Sequence, residues 1–170
     1  MVKNCLIVFL VFFCLTTSAQ EIKLNTEGAQ VEFIFIEKGT KGTFDKVNIF
    51  IELDKNNLST AKISGEAEVS SFRTDNPDRD RSMKSENHMD AEQFPKIKFE
   101  GKEIIQKEDG LSVRGILTIK DVSKETTFDF SIKEKVIFFE SLINASDFGV
   151  GIKKEKELNG VQVTIRIPLE

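Results

Sequence analysis

The 170-residue sequence predicts an all-β domain built on an antiparallel sheet, and three observations carry that prediction. Apolar and polar residues alternate with period two in run after run. Turn residues separate these runs at hairpin length. Only one stretch, Asn76 to Pro95, interrupts the pattern with charged, helix-capable sequence. About seven to nine short strands with no βαβ rhythm fit a barrel or a two-sheet sandwich, and closure favours the barrel because it leaves no strand edge unpaired.

The chain opens with Lys3, an apolar run of 11 residues from Cys5 to Leu15, and then Thr17, Ser18 and Ala19. A basic residue, a short apolar core and small residues are the pattern of a cleaved secretory leader, residues 1–19, with cleavage expected before Gln20. The run is too short to span a bilayer. Neither Cys5 nor Cys14 stands where a lipid-anchoring cysteine would, so no membrane anchor is expected. Residues 20–170 then form one domain without cysteine, which excludes disulfides, thiolate nucleophiles and zinc–thiolate sites. Lys3 is the only charged residue of the leader, so the domain holds 23 Lys and Arg against 28 Asp and Glu. The two signs are interspersed, and nothing attracts nucleic acid.

Along the domain, Val47, Ile49, Ile51 and Leu53 alternate with polar or outward residues, as do Ile63, Gly65, Ala67 and Val69. Ile97 and Phe99 continue the period, followed by Leu111, Val113, Gly115, Leu117 and Ile119, then Thr126, Phe128, Phe130 and Ile132. The clearest run is the last, Val161, Val163, Ile165, Ile167 and Leu169. Turn signals lie at Lys55-Asn56-Asn57, Glu108-Asp109-Gly110, Lys120-Asp121 and Asn159-Gly160. Two segments, Phe33 to Ile36 and Val136 to Phe139, are apolar on both faces. Each is either a segment packed under a loop or a place where the outer face is covered, by a cavity mouth or a subunit contact such as a homodimer.

The domain carries 12 Phe and neither Tyr nor Trp. Phe33, Phe35, Phe99, Phe128 and Phe130 fall on inward positions. There they either fill a core, which alternation alone favours, or line a ligand cavity.

The interruption begins Asn76-Pro77-Asp78, a helix start in which Asn caps, Pro suits the first helical position and early acids complement the helix dipole. A short helix over about Pro77 to Ser85 follows, placed as a lid at one end of the sheet. Arg73, Arg79, Arg81 and Lys84 are candidate donors to a polar headgroup at a cavity mouth. The alternative for Arg79 is pairing with Asp78 or Asp80, which would only fix the lid. General acid–base chemistry has one histidine, His88, to work with. Glu86, His88, Asp90 and Glu92 lack a second imidazole to make a metal set, and no nucleophile-elbow sequence is present. No catalytic residue, metal or cofactor is assigned, and the protein is not expected to be an enzyme.

Asn76, Arg79, Asp80, Met83 and Ser85, with Asp90, Phe94, Pro95, Ile97 and Phe99, resemble the central signature of the YceI-like lipid-binding family. Lys41-Gly42-Thr43-Phe44, Gly115-Ile116-Leu117-Thr118-Ile119 with Val122 and Lys124, and Ser146-Asp147-Phe148-Gly149-Val150 follow the family's order. The sequence departs from that pattern at Ser82, His88 and Lys120-Asp121. The resemblance implies an eight-stranded, antiparallel, lipocalin-like barrel with a short helix at one end, working in the bacterial periplasm. It also implies an apolar pore for an isoprenoid or other fatty-chain lipid. On this reading the five Phe line the pore, and Arg73, Arg79 and Lys84 lie near its mouth. The rival expectation is a structural or interaction module with a filled core.

Overall fold

The computed structural model describes residues 21–23, 26–54, 57–108 and 110–169. The expected leader and its cleavage point lie outside the described residues, as do Lys55, Asn56 and Asp109 of two expected turns. Among the described residues eleven strands form one antiparallel sheet. They are β1 (Glu21–Lys23), β2 (Gln30–Phe35), β3 (Thr40–Phe44), β4 (Val47–Asp54), β5 (Lys62–Glu68), β6 (Phe72–Arg73), β7 (Lys96–Lys107), β8 (Gly110–Ile119), β9 (Val122–Lys133), β10 (Val136–Asn144) and β11 (Gly160–Pro168). The single α-helix, α1, spans Pro77–Lys84.

The sheet order is β1-β4-β5-β7-β8-β9-β10-β11-β2-β3-β6, so β1 and β6 end it. The count is eleven, not the eight that the family resemblance implies: the short β1 adds one strand at the edge of β4, and two corners in the chain add the other two. β3 and β4 are parted by a corner at Asp45 and Lys46, while a 3-10 turn at Val69–Ser71 parts β5 from β6. Each half then takes its own neighbour, β4 pairing with β5 and β3 with β6. Backbone bonds from Asp45 N–H to Ser71 O (3.3 Å) and from Glu68 N–H to Lys46 O (2.9 Å) join the two corners. The sheet therefore curls around its interior in an open strand order rather than as a ladder closed on itself. A bulge between Gly101 and Glu103 in β7, opposite β8, adds to the local bend.

Alternation selects the inner face as expected. In β8, Val113, Gly115, Leu117 and Ile119 are buried, and in β11 so are Val161 and Ile167. The apolar interior falls into two packed groups. One, around Val69, Phe72, Met83, Met89 and Phe148, lies at the α1 end; the other is built on Ile51, Val113, Phe139, Ile137 and Ile167.

α1 forms where the sequence predicts it and ends one residue early. Asn76 Oδ1 accepts from Arg79 N–H at 3.0 Å, Pro77 is at the first helical position, and Asp78 and Asp80 occupy the first turn. The helix is tied to the sheet by Asp80, whose Oδ1 accepts from Thr74 N–H (2.9 Å) and Thr74 Oγ1 (2.6 Å). Its one buried side chain, Met83, turns inward, and Met89 N–H closes the following turn onto Met83 O at 3.0 Å.

The turn signals fared unevenly. Lys120-Asp121 is the β8–β9 turn. Asn159-Gly160 is no hairpin: Asn159 is buried at the end of the 3-10 turn Lys156–Asn159 and anchors the long β10–β11 connection. The β9–β10 hairpin turns through Glu134 (φ 49°) and Lys135 (φ 62°), where the sequence carries no Gly, Asn or Asp.

Candidate functional site

The interior is not fully filled. Three apolar cavities of about 110, 90 and 80 Å³ follow one another from the α1 end toward the far end of the sheet. The first is walled by Phe33, Phe35, Phe44, Phe72, Met83 and Met89 among others. It shares Ala67, Leu117, Phe128 and Val163 with the middle cavity, which also meets Phe99. The middle cavity in turn shares Ile63, Val113 and Phe139 with the third, where Phe130 lies. Neighbouring cavities share these walls because inward side chains of a curled sheet converge on its axis.

The five phenylalanines singled out from the sequence are thus spread along the axis rather than gathered. Phe33 and Phe35 belong to the α1 end, where Phe33 stacks on Phe72 (centroids 4.9 Å apart) and meets Phe35 edge-on at 5.5 Å. Phe99 and Phe128 form a T-shaped pair at 5.0 Å in the middle. Phe130 sits at the far end, 5.2 Å from Phe139. Two glycines make the rings fit: a Cβ at Gly42 would strike the Phe33 ring, and one at Gly115 would strike Phe99 and the Glu100 carbonyl. Both glycines stand in pieces of the signature quoted above, so the signal was present but its physical reason was not visible.

At the α1 end the first cavity adjoins a chamber of about 240 Å³ whose wall is mostly apolar but carries charged residues, and Phe35 and Met83 are walls of both. The chamber is lined by Lys38, Arg79, His88, Lys153 and Asn159, with Glu37 beside them. Arg79 lines it and is not held by the acids beside it in sequence: Asp78 pairs with Arg81 at 3.0 Å, and Asp80 serves Thr74. Among the described residues Arg79, Lys38 and Lys153 make no ion pair, unlike most bases on the outer faces of the strands. Three cations facing one recess at the end of an apolar cavity can bind an anionic or strongly polar group. His88 Nδ1 lies 3.0 Å from the Ser82 carbonyl, which fixes the ring at the chamber wall.

The chamber's far wall is held by Asn159. Its Oδ1 accepts from Ile152 N–H (2.7 Å) and Lys153 N–H (2.9 Å), and its Nδ2 donates to Lys153 O (3.0 Å) and Glu155 O (2.9 Å). Neither Asn159 nor Lys38 and Lys153 could be found from periodicity, since loops have none. Met83, Met89, Phe44 and Phe72 were likewise missed as walls, although Met83 and Phe44 belong to the quoted signature.

The other three basic residues named from the sequence lie elsewhere, Arg81 being the partner of Asp78 already described. Arg73 pairs with Asp45 (Nε to Oδ2 3.0 Å, Nη2 to Oδ1 3.2 Å) beside a surface groove with Gly42 and Asp75. The bonds from Thr43 and Arg73 hold the Asp45 carboxyl below its ordinary range. Lys84, in the last turn of α1, does not line the chamber. Of the four basic candidates, only Arg79 lines the chamber.

The YceI-like domain family model matches residues 22–170. A UPF0312 protein of Staphylococcus aureus is 29% identical over 145 residues, covering 79% of this chain and 82% of its own length. In fold the chain is similar to Burkholderia cenocepacia BcnA, with a TM-score of 0.71 at 19% identity, over 85% of this chain and 98% of that one. It is also similar to a polyisoprenoid binding domain from Saccharophagus degradans, with a TM-score of 0.55 at 13% identity, over 87% of this chain and 98% of that one.

Proposed function

The chain belongs to the YceI-like domain family, and from that premise we propose that it is a non-enzymatic carrier or sequestering protein for an isoprenoid or other long-chain amphiphilic lipid. The observation that carries this reading is the file of apolar cavities ending in a chamber lined by three cations that make no ion pair among the described residues. An apolar chain would lie along Phe33, Phe35, Phe128, Phe99 and Phe130, and its polar head would meet Arg79, Lys38 and Lys153. The polyisoprenoid-binding neighbour supports the class of ligand. The leader-like residues 1–19 support export to the periplasm.

Affinity of this kind needs few polar contacts. Each methylene withdrawn from water contributes ~0.8 kcal/mol before ordering costs. Chain length would be read by the depth of the cavities, and head chemistry by the chamber. Solvent extraction of the purified protein followed by mass spectrometry is expected to yield a lipid in stoichiometric amount. Repeated recovery of none, together with no uptake of added polyprenyl lipid, sinks the proposal and leaves the filled-core module.

A further inference from the structure

The end of the molecule that carries the chamber also exposes its greasiest surface. Among the described residues six large hydrophobic side chains are exposed, and four of them are at this end: Leu142 (65%), Ile36 (53%), Ile152 (43%) and Leu158 (37%). Ile152 and Leu158 line the chamber itself. Ile36 follows β2, its N–H bonds to Gly160 O at 3.0 Å, and its side chain lies over Gly160. Leu142 points outward two residues before Asn144, which opposes Gly160 in register and whose Nδ2 donates to Lys156 O at 2.7 Å. Ile36, Ile152 and Leu158 thus lie around the start of β11 and the chamber, and Leu142, opposite Gln162, stands on the outer face of β10 one step down from that rim.

Charge on that rim differs from the rest of the chain. Lys38, Lys153, Lys154 and Arg79 make no ion pair among the described residues, whereas Lys156 is held by Asp147. They stand with Glu37, Glu155 and Glu157, while the whole chain carries a formal charge of -4. An anionic surface therefore repels the other sides of the molecule more than this one.

We infer that the mouth end docks on an anionic lipid bilayer, Ile36, Leu142, Ile152 and Leu158 entering the headgroup layer while Lys38, Lys153 and Lys154 meet lipid phosphates. The inference rests on the reading of the interior as a lipid site and adds to it the surface from which the lipid comes and goes. Docked this way, the chamber faces the membrane, and an apolar chain passes between bilayer and cavity without crossing water. A second copy of the chain fits the rim less well. β2, β10 and β11 are each paired on both sides, so no free strand edge is offered there, and the rim is largely loop.

Flotation with vesicles tests this, using the protein from Gln20 onward so that the apolar run Cys5 to Leu15 cannot itself insert. Vesicles of one part phosphatidylglycerol to three of phosphatidylcholine are expected to carry the protein up, and vesicles of phosphatidylcholine alone to carry less. The double variant Ile36→Asp with Leu142→Asp is expected to bind about tenfold more weakly or worse, and Lys154→Gln about fivefold more weakly; none of these three residues lines the cavities or the chamber. Thermal melts matching the parent show that the variants fold. Failure of the parent to float, or flotation of all variants equal to the parent, overturns the inference. So does light scattering that shows a dimer split by Ile36→Asp in a protein that does not float. Uptake of polyprenyl lipid from detergent separates the two readings. Variants that lose flotation but keep uptake support docking as a distinct surface, and a parent that floats without taking up lipid retains docking while the interior reading falls.

Discussion

Gly115 shows how a single residue shapes the interior: its missing side chain is the space that the Phe99 ring occupies, just as Gly42 makes room for Phe33. Inward phenylalanines were legible from the period of the strands, because a pleated backbone sends alternate side chains to one face. The fate of individual charges was not. Arg73 and Arg79 look alike in the sequence, yet one is held by Asp45 from across a corner of the sheet and the other is left facing the chamber. That difference depends on which carboxylates the fold brings near. Asp129 offers a test at this scale. Lys107 Nζ at 2.6 Å, and then the fully buried Ser112 Oγ at 2.8 Å, hold its carboxyl below the ordinary range. A lowered carboxyl pKa stabilises the fold above the unfolded-state value, and that contribution is lost as pH falls through the lowered folded value. Because the pair is largely exposed, Asp129→Asn is expected to cost only about 0.5–1 kcal/mol at neutral pH. In urea melts across pH the difference from the parent should vanish in acid; a constant difference would refute the assignment.

Among the elements, α1 was the most readable, since a capping Asn, a Pro and early acids are local signals that no distant contact needs to supply. The β8–β9 turn at Lys120-Asp121 was readable for the same reason. The β9–β10 turn was not, because Glu134 and Lys135 take positive φ against their intrinsic preference and the pairing of the two strands imposes it. Relief of that local cost is measurable. Lys135→Gly is expected to raise stability by about 0.5–1 kcal/mol in chemical denaturation, because glycine adopts the left-handed region freely. A loss of stability would mean that the Lys135 side chain contributes more than its backbone costs. Asn159 marks the opposite case, a residue whose composition-level reading as a turn former concealed a buried anchor with four hydrogen bonds.

For the molecule as a whole the question is whether the interior is core or container, and Ala67 separates the two. It borders both the first and the middle cavity. Ala67→Leu pushes new methyl groups into space that a container leaves open. Stability is expected to hold or rise, within about 1 kcal/mol, while uptake of polyprenyl lipid falls sharply. A filled interior would instead be overpacked and lose about 1–3 kcal/mol, which calorimetry would show at once. By itself the sequence determined the all-β class, the inward set of side chains and the one helix, because period-two alternation and capping are properties of neighbouring residues. Only the tertiary structure decided the eleven-strand order, the file of cavities and the meeting of Arg79, Lys38 and Lys153 at one end. Corners, curl and loop anchors set these, and each depends on contacts between residues far apart in the chain, whose positions no local pattern records.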